Sequence, residues 1–332
     1  PMPSPTDPPL PPAQQLTTPR PLGAPPEAQA SGNVRHEEAA EAKPLVERSF
    51  QVSWAREDVE QRLGFKGGRY TSVNAFLAFI IGALLTIAWF AVMGYLPYAM
   101  PQTKGFADMF LENGNQYVQP ATMFFFFWGL SMLFIKTKKL KFQKRALELA
   151  AVPQHADFEL TRHTARQVLE RVHEMVDNPA HFLLLNRIER ALSNLKNLGQ
   201  VNDVTSILKM QSENDDEQIA SSYSLLTGFI WAVPVLGFIG TVVGLSGAIG
   251  GFGKTLQAGV SDLNVLKDKL QGVTGGLATA FETTLVALVA ALILQLVTTW
   301  MQTREGEFLD ACNDYCHRNL ASKLRLGADA QA

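Results

Sequence analysis

Four long stretches of this chain carry almost no charge, and they constrain the fold more than any other feature. Residues 71–103 are 33 residues without an Asp, Glu, Lys or Arg, and 113–135 are 23 more. Residues 218–253 add 36, and 270–303 add 34 with Glu282 as the one charge. A helix of about 20 apolar residues crosses a hydrocarbon core roughly 30 Å thick. All four stretches reach that length, and no comparable amphipathic helices exist to bury them in a soluble core. The chain is therefore expected to be an all-α integral membrane protein with four transmembrane helices, at about 73–96, 117–135, 223–249 and 274–301. The first apolar run is too long for the apolar region of a signal peptide.

Lysines and arginines set the expected orientation. Lys136, Lys138, Lys139, Lys141, Lys144 and Arg145 follow the second span, and Arg56, Arg62, Lys66 and Arg69 precede the first. Arg304, Arg318, Lys323 and Arg325 follow the fourth. The 97–116 loop has only Lys104, and the 250–273 loop balances three lysines with two aspartates. This places both termini and the 136–222 segment in the cytoplasm. The formal charge of −2 gives no reason to expect nucleic acid as a partner.

The domain plan follows. Residues 1–44 hold twelve of the 18 prolines and read as a disordered cytoplasmic tail. Residues 45–70 form a partly helical lead-in, 71–136 a transmembrane hairpin, and 137–222 a helical cytoplasmic segment. Residues 223–303 form the core of the last two membrane helices, and 304–332 a cytoplasmic helix and tail. Leu160, Thr164, Val168, Val172 and Val176 recur every fourth residue, and Phe182, Leu185, Ile188, Leu192 and Leu195 follow at three and four. These are the apolar stripes of amphipathic helices. Residues 140–222 are expected to be helical throughout. The run into the third span has no proline or glycine before Gly228, which predicts one continuous helix there. The last two membrane helices are thus both expected to extend into the cytoplasm.

The third span carries Gly237, Gly240, Gly244, Gly247 and Gly251 at spacings that put all five on one face. Such a face admits another backbone closely, from the same chain, a neighbouring copy or a partner. Pro234 removes a backbone hydrogen bond in this helix and predicts a kink or joint. In the fourth span Ala280, Thr284, Ala287 and Ala291 make a second small face, with Thr279 and Thr283 beside it. Glu282 lies among them. A carboxylate in a membrane span is costly, and marks either an ion-path group or a structural lock.

Residues 234–245, PVLGFIGTVVGL, resemble the third-helix motif of the MotA/TolQ/ExbB proton channel family. Residues 275–285, GGLATAFETTL, resemble the start of that family's last helix. The resemblance covers about residues 200–310 and implies an ion-channel subunit of an energy-transducing complex in the bacterial inner membrane. It implies a homopentamer around a dimer of a single-span partner similar to MotB, TolR or ExbD, which carries a membrane Asp. The transported species would be H+ or Na+, with no other cofactor. By the same resemblance Thr241 and Thr284 line the ion path; Thr283 and Glu282 join them as candidates by their place in the span, not by the resemblance. Pro234, Gly237, Gly240, Gly244 and Ala280 would serve as hinge and helix-packing positions.

Other classes have less behind them. The chain shows no Ser/His/Asp grouping, no Gly-rich phosphate loop with its lysine and no dense His/Glu cluster, so an enzyme is not expected. Cys312, Cys316 and His317 stand at helical spacing and read as reduced cysteines on an amphipathic helix rather than the start of a zinc site. A membrane scaffold that conducts nothing, or a self-sufficient channel, stays open as the alternative.

Overall fold

The computed structural model describes residues 52–111, 117–149, 151–153, 158–193, 201–257 and 263–325. The proline-rich tail at 1–44, Leu195 and the last seven residues lie outside them. Among the described residues there is no strand, only two isolated bridges, Val52 with Val176 and Leu160 with Leu324. The helices in chain order are α1 (Trp54–Glu57), α2 (Val59–Arg62), α3 (Ala75–Ala99), α4 (Lys104–Leu111) and α5 (Val118–Glu148). Then come α6 (Arg162–Met175), α7 (Leu183–Ser193), α8 (Val201–Ser221), α9 (Ser224–Gln257) and α10 (Leu263–Cys316).

Among the described residues four helices are long and apolar enough to span a membrane, and each overlaps one of the four uncharged stretches. The last of them, α10, runs 54 residues without a break. At about 1.5 Å per residue it is roughly 80 Å long, far more than a hydrocarbon core requires. The loops between spans are shorter than expected. Residues 101–103 form a 3₁₀ turn and α4 follows it directly over 104–111. The 250–273 segment is mostly helical too, since α9 continues to Gln257 and α10 starts at Leu263.

The expectation of unbroken helix over 140–222 fails at identifiable places. After α5 the described residues 151–153 and 158–160 are non-helical, and Thr161 opens α6 with a capping box shared with Thr164. Pro153 falls within that gap. A second break follows α6, where Asn178 caps a short 3₁₀ turn that begins at Pro179. Between α8 and α9 the helix is pinched at Ser222–Tyr223. There the Ser221 and Ser222 hydroxyls donate back to the Gln218 and Ile219 carbonyls, at 2.9 and 2.6 Å. Serine hydroxyls bonded this way compete with the helix ladder.

The apolar stripes survive these breaks. Leu160, Val168, Val172 and Val176 are all buried, as are Phe182, Leu185, Ile188 and Leu192. They meet Phe308 and Cys312 of α10 in one core. The lead-in docks on the same core. Trp54 stacks on His181, ring centroids 4.7 Å apart, and Asp177 accepts from the amides of Trp54 and Ala55 at 2.9 and 3.0 Å. Desolvation raises the Asp177 carboxyl, but these bonds and two more outweigh it and hold it below the ordinary carboxylate range.

Two of the lysines that follow the second span are not surface charges. Lys136 and Lys139 lie one turn apart on α5 and both are buried. Lys136 Nζ is 3.1 Å from Glu305 Oε1 of α10, and the Tyr223 hydroxyl donates to Glu305 Oε2 at 2.6 Å. Lys139 Nζ lies 2.6 Å from Glu60 Oε2 and donates to the Ser72 carbonyl at 2.7 Å. So α5 is tied by one lysine to the last helix and by the next to the lead-in. Removing one partner of a buried pair strands a charge, at about 3–5 kcal/mol, whereas an apolar replacement of the whole set is often neutral. Glu305→Ala is accordingly expected to lower thermal stability in detergent sharply. Lys136→Met with Tyr223→Phe and Glu305→Leu is expected to regain most of it, as measured by differential scanning fluorimetry.

Candidate functional site

The two small faces named from the sequence meet each other. A methyl group built on Gly237 would overlap Ala287 Cβ. One on Gly240 would lie 2.8 Å from Thr283 Oγ1, and one on Gly244 would lie 3.0 Å from Ala280 Cβ. At the far end, a methyl on Gly276 would be 3.0 Å from Ala248 Cβ. The pairs climb α9 as they descend α10, so the helices are antiparallel and in one register along this seam. Ala280 and Ala287 are fully buried in it. Gly240 is also approached from α5, whose Val118 Cγ1 would lie 3.1 Å from the added methyl. The seam is thus satisfied within one chain over Gly237, Gly240 and Gly244. Added methyls at Gly247 and Gly251 would meet open space.

Small residues bring the two backbones close enough for side-chain hydroxyls to bond across. Thr241 Oγ1 and Thr284 Oγ1 are hydrogen-bonded to each other at the middle of the seam. Thr284 also donates to the Gly237 carbonyl at 2.9 Å, and Thr241 Oγ1 lies 3.2 Å from the carbonyls of Gly237 and Ala280. Both threonines are half-buried, so each keeps an outward side. Thr283 is buried and donates to the Ala280 carbonyl at 2.8 Å. Glu282 is half-buried on the adjoining face of α10.

A hydroxyl has one donor and two acceptor lone pairs. The Thr284 donor is used on a backbone carbonyl in the same chain. What the pair can offer outward is therefore acceptor capacity, suited to a protonated carboxyl, a hydronium or a bare cation. Pro234 sits inside α9, whose helical assignment continues through it. It lines a groove of about 520 Å³ with Trp231, Phe238, Leu292 and Gln295.

Apart from Glu282 on the adjoining face, the residues proposed from the sequence fall along one α9/α10 seam, with Pro234 at one end. Sequence reasoning missed the Ala248–Gly276 contact that extends the seam, for which the Gly275-Gly276 doublet was the available signal. It also missed the Lys136–Tyr223–Glu305 cluster beyond the spans, which no local pattern announces.

The seam makes a swap test possible. Gly237→Ala is expected to destabilise by about 1–3 kcal/mol through overpacking. Adding Ala287→Gly removes the opposing methyl and is expected to restore most of the lost thermal stability. Failure of the double variant to recover would mean that the two residues do not face each other.

No curated protein and no solved structure matches the chain. Residues 177–313, which hold α7, the whole seam and both threonines, match the model of the MotA/TolQ/ExbB proton channel family, and the resemblance carried by the two helix motifs is borne out over that segment.

Proposed function

We propose that this chain is the ion-channel subunit of an inner-membrane complex that converts ion-motive force into mechanical work through a MotB-, TolR- or ExbD-like partner. One observation carries the proposal. In a segment that matches a proton channel family, two threonines from different spans join their hydroxyls at the seam of α9 and α10. Five copies around a partner dimer would present these pairs as a ring toward the partner's membrane Asp. When that carboxyl is protonated, the threonine lone pairs accept from it; when it is ionised, they help hydrate the arriving H+ or Na+. Glu282, one helical turn or less from both Thr283 and Thr284, is the chain's own titratable group in the span. The cations flanking the spans support cytoplasmic termini and a cytoplasmic position for α6, α7 and α8.

A second reading has its own support. The Thr284 hydroxyl bonds across the helix pair, as a structural lock would. The two are separable by Thr284→Val, which keeps the shape and removes the hydroxyl. A channel role predicts that the complex assembles, but that ion flux into vesicles falls about tenfold or more, as for a lost transition-state hydrogen bond. A lock predicts normal flux per assembled complex and a lower thermal midpoint. Glu282→Gln, assayed alongside, is expected to abolish flux if the carboxyl relays protons.

A further inference from the structure

Beyond the membrane seam, α7, α8, the end of α10 and the turn after it enclose a cavity of about 390 Å³. Its lining is rich in donors. Arg187 of α7 is 1% exposed. Its Nε lies 2.6 Å from Asp215 Oδ2 and its Nη1 donates to Asn313 Oδ1, but its Nη2 has no hydrogen-bond partner among the described residues. A buried guanidinium nitrogen left unpaired is costly, and an acceptor supplied from the cavity would relieve it. Asn313 Oδ1 also accepts from Ser212 Oγ at 2.8 Å, so the donor end of that amide is used by neither bond. Lys209, whose ammonium lies 4.0 Å from the exposed Glu213 carboxylate, and His317 line the same cavity and are exposed. One carboxylate on the wall, Asp314, is engaged by Arg318.

The wall also departs from regular helix where it matters. Residues His317–Ala321 form a π-turn directly after α10, and such turns recur at functional sites. A guanidinium, an ammonium, an imidazole and an amide, carried by three helices and this turn, line the same cavity. That set fits an anion with several acceptor oxygens pointing in different directions, which is the geometry of a phosphate group.

We infer that this cavity binds a small phosphate-bearing molecule through Arg187, Lys209, Asn313 and His317. The site stands at the end of the same helix that carries Thr284, and it is independent of the seam residues.

The test is a thermal-shift and calorimetric titration of the purified full chain in lipid nanodiscs. The probes are inorganic phosphate, glycerol 3-phosphate and, as the uncharged control, glycerol. Saturable binding of at least one phosphate probe and none of glycerol is expected. Binding of inorganic phosphate identifies the free ion as sufficient, and binding of glycerol 3-phosphate alone identifies an organic monoester. Lys209→Gln and His317→Gln alter exposed groups and should leave the fold intact, yet each should weaken binding about tenfold. Arg187→Lys extends the series if it folds. No saturable binding of either phosphate probe, or binding unchanged in both exposed-residue variants, would overturn the inference.

Discussion

The close approach of α9 and α10 is the constraint on which the membrane part depends. In a bilayer no hydrophobic force pulls one apolar helix onto another, so association rests on packing and interhelical hydrogen bonds. Here Gly237, Gly240 and Gly244 stand against Ala287, Thr283 and Ala280 in a single register. That register brings Thr241 and Thr284 within bonding distance. A bulkier residue at any of these positions would separate the hydroxyls as well as the helices.

The helix pair needs an anchor outside the apolar zone, and α5 provides it. Lys136 holds α10 through Glu305, and Tyr223 at the start of the third span bonds the same carboxylate. One carboxylate therefore links α5, the α8/α9 joint and α10. Lys139, one turn on, fixes the lead-in through Glu60. In the same core, Leu183, Leu184 and Leu185 at the start of α7 are all buried. These contacts join α5 and the lead-in to the last two spans at one end.

What the sequence made legible was governed by local periodicity and charge. The four spans follow from uncharged length, the buried faces of α6 and α7 from their stripes, and the seam from glycines and alanines at three and four. The breaks after α5 and α6 were less visible, although Pro153 and Asn178-Pro179 marked them. The pinch at Ser222–Tyr223 depends on serine back-bonding and on a hydroxyl reaching Glu305, 82 residues away. Lys136 and Lys139 looked like ordinary flanking cations, since only distant residues decide that they are buried. The Arg187 cluster was hidden for the same reason: its partners Asp215 and Asn313 lie 28 and 126 residues along the chain.

The central claim is that this chain forms a channel by assembling around a partner that supplies the membrane carboxylate. Native mass spectrometry of the complex, purified gently from its own host membranes with lipids retained, tests it most directly. A pentamer of this chain holding a dimer of a small single-span protein with a membrane Asp is the predicted result. A homo-oligomer alone, under conditions that keep lipids bound, would contradict it.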